Sequence, residues 1–105
     1  MIRVNIMYPY SESAHFDFDY YLDKHMPLAV KLLSAHEGYK GVAVEKGLAG
    51  VEPGSTPQFF ALCHFSFTSA EAFLEAFMPN AETLQGDIPN YTNSQAVIQF
   101  SEVLM

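Results

Sequence analysis

Four short segments of the chain have the alternating or β-branched pattern of strands, and two longer segments between them have a helical period of hydrophobic residues. The strand-like segments lie at 2–8, 39–50, 58–69 and 95–104, and the helical ones at 16–35 and 69–86. Turn residues fill 51–57, so the second and third strands are expected to form a hairpin. The order strand, helix, strand, strand, helix, strand predicts an α+β, ferredoxin-like domain over 1–105. Its four-stranded antiparallel sheet would carry both helices on one face.

The face of the predicted sheet away from the helices, called the open face below, has a mixed composition. Alternation along the strands assigns these residues to it: Asn5, Met7, Phe60, Leu62, His64, Val97 and Gln99. This set is too apolar to be left in water and too polar for a dry core. We therefore expect a partly wet cavity closed by a second copy of the chain. In that cavity Asn5, Met7, His64 and Gln99 would contact a ligand.

Composition restricts the classes of partner and site. Hydrophobic residues make up 50% of the chain and charged residues only 16%, a balance that favours a homodimer over a monomer. The formal net charge of −7 argues against nucleic acid and anionic membrane surfaces as partners. The chain begins with a strand-like pattern and no signal-peptide or membrane-spanning pattern is recognised, so a cytoplasmic location is the expectation. The single cysteine, Cys63, excludes an internal disulfide and paired-thiolate zinc motifs.

The first helical segment contains a proline, Pro27, two residues after a histidine, His25. Proline inside a helix removes one hydrogen bond and costs about 3 kcal/mol, so we expect a bend that turns His25 toward a pocket. His25 is either a buried structural histidine or a proton-transfer group, with Tyr21 or Tyr20 donating to a developing oxyanion. The tyrosines have their own simple alternative, which is to fill the core or an interface.

The segment 86–94 is predicted to be a loop, with Gly86 closing the preceding helix. Its Asp87 and Tyr91 are either ordinary loop residues or side chains that reach the region of His25 and contact a ligand. His64 is a poor metal candidate because no second ligand lies at metal-site spacing. We expect no metal site.

Two stretches, "FDYYLDKHMPLA" (18–29) and "FMPNAETLQGDIPNYTN" (77–93), resemble the EthD-like family of the dimeric α/β-barrel superfamily. The resemblance covers nearly the whole chain. It implies a homodimer whose two sheets face each other as a barrel, with a pocket in each monomer between sheet and helices and with no cofactor as a rule. It also implies a role in degrading ethers or aromatic compounds, or in tailoring polyketide-type products.

Three functions remain open at this point. In the first, the chain is a cofactor-independent oxygenase, lyase or isomerase that acts on a small aromatic, ether or polyketide-like compound through His25. Alternatively it binds a hydrophobic small molecule, such as haem, without catalysis, or it is an accessory dimer with a filled barrel. An enzyme is expected to have an accessible imidazole beside a pocket of several hundred Å3, within the usual range of ~300–1,000 Å3.

Overall fold

The computed structural model describes all residues from Met1 to Met105. Its strands are β1 (Ile2–Pro9), β2 (Tyr39–Lys46), β3 (Phe59–Phe67) and β4 (Val97–Glu102). Its α-helices are α1 (Phe18–Tyr20), α2 (Met26–Leu33), α3 (Ala70–Phe77) and α4 (Ala81–Asp87). A π-helical turn, Tyr21–His25, joins α1 to α2, and 3₁₀ turns follow α3 (Met78–Asn80) and α4 (Ile88–Asn90). No helix has the length and apolar character needed to cross a bilayer.

The four strands form one antiparallel sheet in the order β2-β3-β1-β4. In this register Val4 on the central strand lies opposite Phe65 on one side and Phe100 on the other. Both helical segments pack on the face that carries these side chains, which confirms the predicted ferredoxin-like α+β fold. The strand parity deduced from sequence is also correct for β1, β3 and β4.

The hydrophobic core lies between this face of the sheet and the helices. Val4, Phe65 and Phe67 on the strands are no more than 2% exposed, and they pack with Leu33 of α2 and Phe73 of α3. Burying one such aliphatic or aromatic side chain stabilises the fold by roughly 1.5–3 kcal/mol. The core therefore fixes the helices firmly over the sheet, and with them the side chains that the helices carry.

Polar side chains and prolines set the ends and bends of the helices. Asp17 caps α1 by accepting a hydrogen bond from the backbone N–H of Tyr20 (3.1 Å), and Ser69 caps α3 in the same way. Pro27 lies in the first turn of α2, and Pro79 lies in the 3₁₀ turn after α3. The interruption predicted at Pro27 is present, and Pro79 accompanies a second one.

The prediction of a loop over 86–94 is wrong in its first half. Gly86 does not close the helix, because its φ is not positive and α4 continues through Asp87. A 3₁₀ turn then carries the chain to Asn90. Strands β2, β3 and β4 are also shorter than predicted, and β2 ends at Lys46, where its pairing with β3 ends. Asp87 is thus the last residue of a helix, whose backbone fixes the position from which its side chain extends.

A chain of hydrogen bonds crosses all four strands on the open face. His64 Nε2 lies 2.9 Å from a Glu45 carboxylate oxygen, and His64 Nδ1 lies 2.6 Å from Asn5 Oδ1. Asn5 donates to the Ser101 hydroxyl (2.7 Å), which also accepts from Gln99 (3.0 Å). These bonds give the open face a fixed polar pattern between its apolar side chains.

Candidate functional site

A small cavity of about 80 Å3 lies inside the monomer, between the helices and the sheet. Its walls are almost entirely apolar, and the exceptions are His25, Gln85 and the tyrosine hydroxyls. On the side of β4 it is bordered by Ile88, which is half-buried, and by Ile98, which is 56% exposed, so the cavity reaches the surface there. The volume is smaller than the several hundred Å3 expected of an enzyme pocket, because large side chains of the core project into the space.

The π-helical turn aims His25 into this cavity. The Met26 N–H bonds the carbonyl of Tyr21 five residues back, which defines the wider turn. His25 is 7% exposed and its ring stacks nearly parallel to that of Tyr21, with centroids 5.7 Å apart. Pro27, which has no N–H to donate, begins the next helical segment immediately afterwards. Such turns are frequent at functional sites, where they re-aim a side chain.

Asp87 holds one side of the His25 ring. Its Oδ2 accepts a hydrogen bond from His25 Nδ1 (2.9 Å), and its Oδ1 accepts from the Tyr20 hydroxyl (2.6 Å) and from Asn90 Nδ2 (2.9 Å). Burial raises the pKa of the carboxyl. The three donated hydrogen bonds outweigh burial, so the pKa of Asp87 lies below its ordinary value of 3.8. The carboxylate is therefore ionised near neutral pH and fixes the imidazole tautomer with hydrogen on Nδ1.

Two buried tyrosines lie on the other side of the His25 ring. The Tyr91 hydroxyl is 3.4 Å from His25 Nε2 and 2.6 Å from the hydroxyl of Tyr8, whose side chain lines the cavity. Burial raises the pKa of Tyr8 to about 12 and raises that of Tyr91 further. Both phenols consequently stay protonated at physiological pH. Hydrogen bonds thus connect Tyr8, at the cavity, with Tyr91, His25 and Asp87 in one series.

The prediction that Tyr21 or Tyr20 donates to a developing oxyanion beside His25 gains no support from the position of Tyr21. The Tyr21 hydroxyl points to the thiol of Cys63, and its side chain contacts His25 through the ring face. Burial raises the pKa of Cys63 to about 12 and that of Tyr21 as well, so the thiol is a poor nucleophile. Tyr21 acts as a packing partner that orients the imidazole, and the hydroxyl that lies beside Nε2 is that of Tyr91.

The predicted ligand-contacting residues divide between two faces of the sheet. Tyr20, Asp87 and Tyr91 lie around His25, as the sequence motifs suggested. The remaining residues, Asn5, Met7, His64 and Gln99, lie on the open face and do not line the His25 cavity. The two sets therefore belong to two separate places in one chain, because adjacent residues of a strand point to opposite faces.

Two residues of the site were not predicted from sequence. Tyr8 continues the inward row of β1, and this parity was the available signal. Asn90 follows Asp87 by three residues, a spacing that brings side chains together only once the segment is helical. The structure brings together no group of three His, Cys, Asp or Glu side chains that could hold a metal ion.

Comparison with known proteins identifies the family. A model of the EthD domain matches residues 10–95. The crystal structure of an EthD-like protein from Ralstonia eutropha is 45% identical, with a TM-score of 0.93 over 99% of this chain and 92% of that chain. This chain belongs to the EthD family. The resemblance noted in the two sequence stretches is thereby confirmed.

More distant structures share the EthD-family fold. An ethyl tert-butyl ether degradation (EthD) family protein from Bacillus halodurans is 19% identical, with a TM-score of 0.73 over 99% of both chains. SnoaB from Streptomyces nogalater, a cofactor-independent oxygenase, is 12% identical, with a TM-score of 0.59 over 99% of this chain and 92% of its own. At these identities the likeness shows the fold alone. No curated protein matches this member of the family in sequence.

Proposed function

We propose that this EthD-family protein is a cofactor-independent enzyme that removes a proton from a small aromatic, ether or polyketide-like compound, with His25 as the base. The hydrogen-bonded pair of His25 and Asp87 at the wall of an apolar cavity is the observation that carries the proposal. The carboxylate keeps hydrogen on Nδ1, so that Nε2 presents a lone pair. A positioned imidazole of this kind typically contributes 10²–10⁴-fold to the rate of proton transfer.

The walls of the cavity indicate which substrates fit. They are apolar and include Phe65, Phe73 and Phe77, so a flat and uncharged compound is favoured over a sugar or a phosphate. The cavity of about 80 Å3 admits only the reacting edge of such a compound. The rest of the molecule would extend toward the surface past the half-buried Ile88 and the exposed Ile98.

Other features support an enzyme of this general type. The fold neighbour SnoaB is itself a cofactor-independent oxygenase, although its low identity means that the reaction does not transfer with the fold. Haem binding has less support, because a histidine ligand needs a ring nitrogen free for iron. In His64 both ring nitrogens are bonded to side-chain oxygens, and the cavity beside His25, about 80 Å3, is too small for a porphyrin ring.

The first test is hydrogen exchange on a flat ketone with acidic C–H bonds. The wild-type protein is incubated with 2-tetralone in D2O, and loss of the C1 proton signal is followed by NMR. We expect exchange at least about 10²-fold faster than with the same concentration of free imidazole, because the site orients its base. Chemical-shift changes without accelerated exchange would favour a non-catalytic binding protein. A protein that shows neither accelerated exchange nor chemical-shift changes would contradict both the enzymatic and the binding function.

We further propose that the protein is a homodimer formed through the open face. This face combines the hydrogen bonds that cross the four strands with apolar side chains such as Met7, Leu62 and the half-exposed Val97. A patch of this kind is typical of an interface between proteins. The xenobiotic-degrading role implied by the family resemblance and the cytoplasmic location expected from the sequence stay part of this proposal.

Replacing Leu62 with aspartate is expected to shift the protein from dimer to monomer, because a charge at the centre of the open face would be buried without a partner in the dimer. Light scattering after size-exclusion chromatography measures the mass. Leu74→Asp is the matched control, since Leu74 is 43% exposed on the opposite, helical side. A wild-type protein that runs as a monomer would contradict the proposal, as would a Leu62→Asp variant that stays dimeric.

A further inference from the structure

The series of hydroxyls beside His25 has a definite hydrogen-bond direction. Because Asp87 is ionised and accepts from Nδ1, Nε2 of neutral His25 is an acceptor. Tyr91, 3.4 Å away, then donates to Nε2, and its oxygen accepts from the hydroxyl of Tyr8 at 2.6 Å. In this resting state Tyr8 has no hydrogen left for the cavity that it lines. It can only accept there.

Protonation of His25 reverses the series. An Nε2–H group becomes a donor to the oxygen of Tyr91, whose hydrogen then turns to the oxygen of Tyr8. The hydrogen of Tyr8 in turn becomes available to a ligand in the cavity. Tyr8 therefore changes from acceptor to donor at the moment when His25 has taken a proton.

We propose that Tyr8, Tyr91 and His25 form a proton relay that makes this protein a keto–enol tautomerase for flat, apolar ketones. The inference rests on the proposed function, since it takes His25 as the base, and it adds the substrate class and a second catalytic residue. Tyr8 is that residue because its hydroxyl faces the substrate oxygen. Tyr91 is a positioning residue that connects Tyr8 to His25.

The step balances without an oxidant or a co-reactant. As Tyr91 turns its hydrogen from Nε2 to the oxygen of Tyr8, the freed lone pair of His25 Nε2 takes a proton from the carbon beside the carbonyl, and the C–H electron pair forms the new C=C bond. The C=O π pair moves onto oxygen, which takes the proton of Tyr8. Tyr8 recovers a proton from Tyr91, and Tyr91 recovers one from His25 Nε2. The net change moves one proton from carbon to oxygen and converts the ketone to its enol.

The surroundings of the relay suit this role. Tyr8 is 2% exposed and Tyr91 is fully buried, so water does not compete for their hydrogen bonds. Burial raises the pKa of both phenols, which keeps the relay in its neutral, proton-carrying form. A donor that appears only as charge develops on the substrate oxygen stabilises the transition state more than the ground state.

The test compares Tyr8→Phe and Tyr91→Phe with wild type in the deuterium exchange of 2-tetralone and 2-indanone. Removing a donor to a developing oxyanion typically costs ~10²–10³-fold, so we expect each variant to lose about 10²-fold or more. The double variant is expected to be no slower than the slower single variant, because both changes break one series. Tyr39→Phe is the matched control. It removes a tyrosine hydroxyl beside Phe65 and Phe67, away from the cavity, and is expected to leave the rate unchanged.

A second readout separates the relay from simple packing. The 15N resonance of His25 Nε2 is expected to move when Tyr91→Phe removes the donor, and to stay in place with Tyr39→Phe. Wild-type exchange that is unaffected by Tyr8→Phe would overturn the relay and leave His25 as the base. Wild-type protein without exchange on either ketone would overturn the proposed function and the relay together.

Discussion

Replacing His25 with glutamine is expected to lower the rate of 2-tetralone exchange by about 10²–10⁴-fold, the usual contribution of a positioned general base. Glutamine retains a polar group of similar reach, and its side-chain amide is not basic at neutral pH. It can still bond Asp87 through its N–H₂ group, so the carboxylate need not be left unpaired. The rate of loss of the C1 proton signal, at saturating and at low ketone, separates an effect on chemistry from an effect on binding.

His36→Gln is the control for this change. His36 lies just after α2 and bonds Glu75 on α3, so the substitution removes an imidazole without touching the cavity. It is expected to exchange the ketone at the wild-type rate. Equal rates in His25→Gln and wild type, with both proteins folded by circular dichroism, would exclude His25 as the base.

Replacing Asp87 with asparagine is expected to reduce exchange on the order of 10²–10⁴-fold, as loss of the carboxylate in a comparable His–Asp pair does. The carboxylate accepts three hydrogen bonds through its two oxygens. An asparagine has only one acceptor oxygen, and its N–H₂ group would face a donor, either Asn90 or His25. The tautomer of His25 with a free lone pair on Nε2 would then no longer be fixed.

Asp87→Asn is also expected to flatten the dependence of stability on acid pH. The folded-state pKa of Asp87 is depressed, so the carboxylate contributes stability that is present above its unfolded value of 3.8 and is lost as the pH falls through the folded value. Urea unfolding between neutral pH and about pH 2 measures this effect. Asp23→Asn, an exposed change in the π-helical turn that carries His25, is the control. A variant with the wild-type pH profile would show that Asp87 is not ionised preferentially in the folded state.

Much of the fold follows from local patterns in the sequence. Parity along β1 separates Val4 from Asn5, and both lie on the faces so deduced. The proline rule located the interruption at Pro27, and the inward direction of His25 follows from its spacing from Tyr21. These features depend on neighbouring residues, which a sequence displays directly.

The site itself depends on contacts that no local pattern contains. Tyr8 and Tyr91 are 83 positions apart, and their hydroxyls meet only because β1 and the segment after α4 pack together. The conformation of Gly86 was misjudged because glycine is compatible with both a helix end and a helix interior. The cavity volume is a small difference between packed side chains, so composition does not set it.

The π-helical turn has a consequence for the length of the chain. A turn of this kind contains one residue more than an α-helical turn, and its greater width absorbs that residue without rotating the helices on either side. If the turn closed to α-helical geometry with all its residues kept, one of the two ends would have to rotate by roughly the 100° that one α-helical residue adds. Either the Asp17 cap or the contact between His25 and Asp87 would then be broken. In relatives of this protein, the number of residues between the cap and the histidine is therefore as informative as the residue types.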